Sequence, residues 1–141
     1  MQDKRVEEVG SLISQYGWKY SFHEPCTFET GWQTKSKKFR LLITGNDSFT
    51  CFSVCLLKLY DPLMSKQDLL LKVLNDFNDR SYFVKAYYNS QMEFLLCADI
   101  FNQNKIKYND FRLTLSLLTY YSHHLFREIS KNIKPNKINF S

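Results

Sequence analysis

Apolar residues recur every three or four positions in the first part of the chain, the spacing typical of one face of an α-helix. Within residues 2–16 they are Val6, Val9, Leu12, Ile13 and Tyr16. Gly17 follows directly, and glycine commonly stands after a helix because it adopts left-handed backbone conformations without strain. The pattern predicts an amphipathic helix that stops at Gly17.

The period changes to two after Gly17, which is typical of β-strands with one buried face. Four segments fit this pattern: WKYSF, TFETGWQ, KFRLLIT and SFTCFSVCLLKLY, the last rich in residues that favour strands. The polar loop TKSKK and the turn GND separate the later pairs. Connections this short join antiparallel neighbours, so the region predicts a β-meander.

Helical spacing returns in the segment DPLMSKQDLLLKVLNDFN. Its predicted start has Ser65 as the N-cap and Asp68 three residues later, which together resemble a capping box. The predicted buried stripe is Leu70, Val73, Leu74 and Phe77. Two further strands follow, SYFVKAYY and MEFLLCADIF, and the short link NSQ between them predicts a hairpin.

The last helix is expected to begin near Asn109 or Asp110 and to run to about Lys131. One face is lined by Phe111, Leu115, Leu118, Leu125 and Ile129. The apolar surface is wider than an amphipathic helix needs. The additional residues are Leu113, Leu117, Tyr120 and Tyr121. This surplus predicts either a thick core or a surface that contacts a partner.

The predicted order of elements is α-β-β-β-β-α-β-β-α. Strands grouped in sequence, with helices at the start, middle and end, favour an α+β fold in which helices cover one face of an antiparallel sheet. A parallel α/β fold is disfavoured because most strand pairs lack a crossover helix. Residues 1–131 are expected to form a single domain, and residues 132–141 a basic tail interrupted by proline.

The composition of the chain narrows the class of protein. Hydrophobic residues make up 44% of the 141 and charged residues 23%, which is far from the composition of disordered chains. No apolar run reaches the roughly 18 residues of a membrane span. The opening MQDKRVEEVG also lacks the apolar centre of a signal peptide. We therefore expect a cytoplasmic protein without membrane contact.

The formal net charge of +5 raises the question of nucleic acid as a partner. The segment KSKKFR, residues 35–40, lies close to Trp32 and includes four cations: Lys35, Lys37, Lys38 and Arg40. Cations interleaved with aromatic rings bind single-stranded nucleic acid in some proteins. Lysines in a hairpin loop more commonly keep the loop solvated. Solvation is the favoured interpretation, and nucleic acid is kept as the alternative.

The sequence contains no recognised motif for catalysis or for a cofactor. It has no GxSxG elbow and no glycine-rich phosphate loop, and only 4 glycines in all. His123 and His124 are adjacent, so on a helix they point about 100° apart and do not chelate one metal ion. Together with His23 they are interpreted as exposed or rim residues. We predict no enzymatic activity, no cofactor, no metal and no small-molecule substrate.

The four cysteines form no CxxC pair; they are Cys26, Cys51, Cys55 and Cys97. Cys51 and Cys55 share one face of a predicted strand but lie about 13 Å apart at the rise of a strand, too far for a disulfide or a shared zinc ion. The thiols are predicted to be reduced and to lie in the core. Whether any two of them meet in the folded chain stays open.

The segment LNDFNDRSYFVKAYYN joins the end of the second helix to the next strand. Asparagine and aspartate bond to nearby backbone groups, so Asn78 is the candidate that satisfies the helix end or the first strand amides. Asp99 is a charge within the apolar strand FLLCADIF, and it is expected to pair with Arg80 or Lys85. The polar cluster is therefore interpreted as structural.

This region also resembles a known family. A helix that ends in L-N-x-x-N, a strand with small and aromatic residues, and a strand that ends in an acid are similar to the YbjN family of bacterial sensory-transduction regulators. The matching residues, within residues 65–125, are Leu74, Asn75, Asn78, Ala86 and Asp99. The resemblance implies a fold like that of type III secretion chaperones, which bind extended segments of partner proteins and often dimerise. It implies no catalytic residues.

We therefore predict a non-enzymatic protein-interaction module, a YbjN-like regulator or a chaperone or adaptor that binds a protein segment. Self-association as a homodimer is the other form of protein partnering. Type III secretion chaperones are typically acidic, whereas this chain is basic, and the difference favours a regulator or adaptor. The alternative function is nucleic-acid association through residues 35–40 and the basic tail.

Overall fold

Helices and strands follow one another in blocks in the computed structural model, which describes residues 2–35, 37–46, 48–59, 67–101, 105–132 and 138–139. The helices are α1 (Gln2–Tyr16), α2 (Gln67–Arg80) and α3 (Tyr108–Asn132). The strands are β1 (Ser21–His23), β2 (Thr27–Gln33), β3 (Lys38–Gly45), β4 (Phe49–Leu59), β5 (Lys85–Tyr88), β6 (Glu93–Phe101) and β7 (Ile138–Asn139). The predicted cap at Ser65 lies outside the described residues, as does most of the predicted tail.

All strand pairs of the sheet are antiparallel. The order across the sheet is β1-β2-β3-β4-β6-β5, and β7 pairs with the end of β4. Strands β1 to β4 form the predicted meander. Because β4 then pairs with β6, the β5–β6 hairpin places β5 at the edge of the sheet. The predicted α+β fold and its order of elements are confirmed, with β7 as an addition.

Side chains along the strands alternate between two faces of the sheet. The buried face carries Phe28, Phe39, Leu41, Ile43, Phe52, Val54, Leu56, Phe94, Leu96 and Ala98. The helices contribute their buried side chains to the same cluster. The intervening strand residues, such as Leu42, Ser53 and Leu95, are only half-buried. We call this second side the open face of the sheet.

The apolar stripes of α2 and α3 complete the core. Every residue of the stripe predicted for α2 is buried, and so is every residue of the first face predicted for α3. Each such side chain contributes about 1.5–3 kcal/mol by leaving water. The four additional apolar residues of α3 fall into two groups. Leu117 and Tyr121 pack against the core, whereas Leu113 and Tyr120 are exposed. No helix within the described ranges is long and apolar enough to cross a membrane.

The end of α1 shows why Gly17 is required there. Gly17 has a φ of +97°. Its amide donates to the carbonyl oxygen of Ser14 at 3.0 Å, and the amide of Trp18 donates to that of Ile13 at 3.2 Å. This pair of bonds satisfies carbonyls that have no partner within the helix, the arrangement known as the Schellman motif. The predicted end of the first helix is confirmed.

The first strand is shorter than its alternating sequence predicts. The segment WKYSF suggested a strand from Trp18, but β1 begins at Ser21. Trp18 instead stacks on Trp32 of β2, with ring centroids 5.7 Å apart, and meets Tyr16 edge to face at 5.0 Å. Its indole therefore packs over β2 and the end of α1, which a periodicity of two does not anticipate.

Gly31 lies where β2 passes closest to β3. A Cβ at this position would be 2.1 Å from the carbonyl oxygen of Phe39, a backbone atom with little freedom to move. We expect Gly31→Ala to lower the free energy of unfolding by about 3 kcal/mol. The matched variant Gly17→Ala has open space around it and a strained φ, and it is expected to cost about 1 kcal/mol. Urea titrations measure both, and equal losses would contradict the steric argument.

Candidate functional site

Asn78, near the end of α2, forms two hydrogen bonds with one residue of β5. Its Nδ2 donates to the carbonyl oxygen of Ala86 at 2.8 Å, and the amide of Ala86 donates to Asn78 Oδ1 at 2.7 Å. β5 is the edge of the sheet, and an unpaired edge offers its backbone to other chains. The asparagine side chain therefore takes the place of a further strand beside Ala86.

Lys85 holds the same junction from the strand side. Its Nζ donates to the carbonyl oxygens of Asn78 and Ser81, both at 2.9 Å. Carbonyls at the end of a helix lack partners within the helix, and a cation beside them is favourable. Of the other residues in the family pattern, Leu74 lies in the core and Asn75 is exposed. The side-chain hydrogen bonds described here thus come from Asn78 and Lys85, and not from every polar residue of this segment.

Asp99 is exposed on the open face of β6, opposite Cys51 of β4. The expected ion pair of Asp99 with Arg80 or Lys85 is wrong. Lys85 is engaged at the end of α2, and Arg80 has its Nη2 3.8 Å from Glu128 Oε2. Asp99 instead pairs with Cys51 across the strands, where burial and then the Asp99 carboxylate raise the pKa of the Cys51 thiol.

The chain passes from α2 to β5 through a γ-turn centred on Phe83. The amide of Val84 donates to the carbonyl oxygen of Tyr82 at 2.7 Å, and Phe83 has a φ of +71°. A positive φ is uncommon for a bulky residue, and the γ-turn with this sign of φ is the strained form. The strand predicted for SYFVKAYY therefore starts only at Lys85.

Phe83 forms one wall of a groove with the end of β6 and the start of α3. The groove encloses about 260 Å³, and its apolar lining consists of Phe83, Ile100, Phe101 and Leu113. The exposed fraction is 42% for Phe83, 62% for Phe101 and 53% for Leu113. Asp99 and Asp110 also line it, and no cation is found among the lining residues that the structure describes. We call these six residues the apolar groove.

Two members of the apolar groove were not apparent from the sequence. Phe83 follows the alternation of a strand and Phe101 ends one, so neither stands out. The two adjacent aromatic residues Tyr82 and Phe83 are a signal of an exposed ring. Neighbouring residues of a strand point to opposite faces. In a sheet that helices cover on one face, one of the two rings is therefore directed toward solvent. Leu113 belongs to the surplus apolar face of α3, which predicted either a thick core or a partner surface.

Three of the four thiols lie on the open face of the sheet rather than in the core, which corrects the prediction. Cys26 is buried, whereas Cys51, Cys55 and Cys97 are half-buried. Phe52 and Val54 of β4 are buried, so Cys51 and Cys55 on either side of them point to the other face. None of the four cysteines forms a disulfide.

The environment of the open face keeps two of these thiols protonated. Burial and a hydrogen bond with Asp99 raise the pKa of Cys51 from its usual 9.0 to about 11. Burial also raises the pKa of Cys97, although hydrogen bonds with Tyr87 and Ser53 oppose the shift. Because the thiolate is the nucleophile, Cys51 and Cys97 are poor candidates for covalent chemistry at neutral pH.

Lys37 is buried, so residues 35–40 do not form the continuous solvated loop that was expected. Its Nζ lies 5.3 Å from the ring centroids of both Phe39 and Phe126. Burial lowers the pKa of Lys37. The two aromatic rings act in the opposite direction, because they favour the charged form of its ammonium group. Because Phe126 belongs to α3, Lys37 connects the β2–β3 hairpin to that helix.

The histidines do not converge on one site. Trp32 Nε1 donates to Nε2 of the half-buried His123 at 3.2 Å, a contact that requires this nitrogen to be unprotonated. His124 and His23 are exposed, as expected. Among the residues that the structure describes, no three His, Cys, Asp or Glu side chains are placed to hold a metal ion.

A family comparison covers the helix–strand junction and most of the sheet. The sequence profile of YbjN, described as "Putative bacterial sensory transduction regulator", matches residues 5–118. This chain belongs to the YbjN family. The match includes the whole junction and extends to the first helix and the meander.

Two solved structures share the fold of this YbjN-family chain. One is the "Crystal structure of YbjN, a putative transcription regulator from E. coli", with a TM-score of 0.68 and 14% identity, covering 90% of this chain and 93% of that chain. The other is a chain of the ExsC–ExsE complex, with a TM-score of 0.57 and 10% identity, covering 90% and 94%. At these identities the likeness concerns the fold. No curated protein matches the sequence significantly.

Asn78→Ala removes both hydrogen bonds with Ala86 and leaves the edge of β5 without that partner. Two hydrogen bonds at a half-buried site correspond to about 1–3 kcal/mol, so we expect the free energy of unfolding to fall by about 2 kcal/mol. Asn75→Ala, exposed on the same helix, is the control and is expected to cost less than about 0.5 kcal/mol. Chemical denaturation compares them, and similar losses would exclude a special role for the junction.

The raised pKa of Cys51 predicts a loss of stability at alkaline pH. The unfolded chain releases the thiol proton near pH 9 and the folded chain near pH 11, so stability falls as pH rises between these values. Two pKa units correspond to at most about 2.7 kcal/mol, and solvent screening at this half-exposed site reduces the effect. Cys51→Ser should flatten the decline between pH 8.5 and pH 10.5 in thermal unfolding, whereas Thr44→Ser, opposite Cys51 on β3, should preserve it.

Proposed function

We propose that this chain is a non-enzymatic interaction module, a regulator or adaptor that binds an extended segment of a partner protein in the apolar groove. The observation that carries the proposal is Phe83, a bulky ring held at positive φ on the wall of a groove. Membership of the YbjN family supports a regulatory role. The fold shared with a chain of the ExsC–ExsE complex supports a protein partner.

Phe83 has a strained backbone although its side chain is 42% exposed. A residue held in such a conformation costs about 1–3 kcal/mol, and strain of this kind persists mainly at functional sites. Ser81 supports the turn, because its Oγ donates to the carbonyl oxygen of Val84 at 2.7 Å. Glycine would adopt the same backbone without strain. We attribute the presence of phenylalanine to the contact that its ring makes with a partner.

The lining of the apolar groove favours a segment of particular chemistry. A space of about 260 Å³ receives one or two large apolar side chains. Asp99 and Asp110 add two carboxylates beside it, and Asp110 also belongs to the first turn of α3. Complementary charge steers and orients a binding partner. We therefore propose an extended segment in which a large apolar residue is flanked by lysine or arginine.

Nucleic acid is the less supported partner. Of the four cations in residues 35–40, Lys37 is buried against aromatic rings. Arg40 Nε lies 3.6 Å from Glu29 Oε1, which reduces the charge that it offers to a phosphate. The carboxylates of the apolar groove repel phosphate as well. These observations favour a protein segment.

Binding to a defined peptide tests the proposal. The probe is a fluorescein-labelled peptide of about twelve residues, glycine- and serine-rich, with a central Phe flanked by two lysines. We expect saturable binding by anisotropy, and Leu113→Ser should weaken it by about fivefold or more because an apolar contact is lost. The control is Leu71→Ser, an exposed leucine of α2 outside the apolar groove. Phe83→Gly should abolish binding while changing the stability by less than about 1 kcal/mol.

Three outcomes would overturn this assignment. Equal affinity for the lysine peptide and for the same peptide with glutamates would remove the argument from charge. Equal effects of Leu113→Ser and Leu71→Ser would place binding elsewhere. A dimer in sedimentation equilibrium that Leu113→Ser converts to monomer would show that a second copy of the chain occupies the apolar groove.

A further inference from the structure

A second groove lies between α2 and α3, and three cations converge on it. It encloses about 530 Å³. Its lining includes six polar or aromatic residues, which we call the α2–α3 groove: Arg80, Tyr120, His124, Arg127, Glu128 and Lys131. Sites for small molecules usually enclose about 300–1,000 Å³. The volume is therefore that of a ligand site, and it is separate from the apolar groove.

The positions along α3 explain how these side chains share one groove. Tyr120, His124, Arg127 and Lys131 follow at intervals of four, three and four residues, which places them on one face of a helix. Arg80 faces them from the last turn of α2. The cations thus come from two helices and surround one space.

Aromatic rings form the other end of the α2–α3 groove. The rings of Tyr120 and His124 are in contact, with centroids 4.3 Å apart and planes inclined by 49°. Phe77 and Tyr121 also line the space and meet edge to face at 5.3 Å. Tyr120 is 57% exposed, so part of its ring remains accessible beside His124. The groove therefore combines an exposed ring surface with a cluster of positive charge.

Helix ends explain only part of this charge. Arg80 and Lys131 lie in the last turns of α2 and α3, where cations are favourable in any protein. Arg127 precedes the last turn, and no carboxylate within the described residues lies within 4.0 Å of it. Glu128 is the single acid among the lining residues that the structure describes, and its contact with Arg80 is solvent-exposed and 3.8 Å long. Such a pair is weak and open to exchange.

We propose that the α2–α3 groove binds an organic anion in which a planar ring is joined to a phosphate, the chemistry of a nucleotide. The phosphate oxygens accept hydrogen bonds from Arg80, Arg127 and Lys131, and guanidinium groups match phosphate oxygens in pairs. The ring of the ligand stacks on Tyr120. Three full positive charges outweigh one carboxylate and the partial negative charges of the two helix ends. The site is independent of the apolar groove and of its protein segment.

Calorimetric titration with ADP at low salt tests this inference. We expect one saturable site, with the dissociation constant raised about tenfold by Arg127→Gln because a charge-assisted hydrogen bond is lost. Arg112→Gln is the matched control, since Arg112 is an exposed arginine of the same helix outside the groove. It should change the dissociation constant less than about twofold. Circular dichroism verifies that each variant is folded, and Arg127→Lys should retain more affinity than Arg127→Gln.

Adenosine and inorganic pyrophosphate separate the two halves of the ligand. ADP is expected to bind about tenfold more tightly than either, because only ADP engages both the cations and the ring. Tyr120→Ala should weaken ADP binding and leave pyrophosphate binding unchanged. The inference is overturned if ADP does not bind, if pyrophosphate binds as tightly as ADP, or if Arg112→Gln and Arg127→Gln have equal effects.

Discussion

The paired hydrogen bonds between Asn78 and Ala86 are the constraint on which the second half of the molecule depends. They fix the end of α2 against the edge strand, and Lys85 reinforces the junction by binding the last carbonyls of the helix. Only residues 81–84 then remain to connect the helix to β5. A connection this short forces a tight turn, and the turn directs Phe83 away from the core. The apolar groove thus results from the hydrogen bonds that Asn78 and Lys85 form at the end of α2.

Periodicity predicted the elements and the core because both depend on which residues leave water. The stripe of α2 and the first face of α3 are buried as their spacing indicates. The thiols were misplaced because Cys51 alternates with Phe52, and composition alone does not decide which of two neutral residues faces inward. Lys37 was misplaced for a different reason, since its burial depends on Phe126, 89 positions away along the chain. Contacts of that range leave no local pattern in a single sequence.

The exposed part of the surplus apolar surface of α3 contributes to two different grooves. Leu113, near the start of the helix, contributes to the apolar groove, and Tyr120 contributes to the α2–α3 groove. Buried residues of the helix run from Phe111 to Ile129 and belong to the core. At about 1.5 Å per residue, Leu113 and Arg127 are about 21 Å apart. One rigid element therefore presents two chemically different surfaces, an acidic apolar one and a basic aromatic one.

The central position of β4 in the sheet means that one of its two partner strands is synthesised later than the other. β4 has 11 residues and pairs with β3 on one side and β6 on the other. During synthesis the meander is complete before β6 has left the ribosome, because α2 and β5 come between them. Over this interval β4, the longest of the described strands, has one unpaired edge, which is a template for pairing with other chains. The nascent protein is therefore most exposed to misassembly between the emergence of β4 and the emergence of β6 from the ribosome.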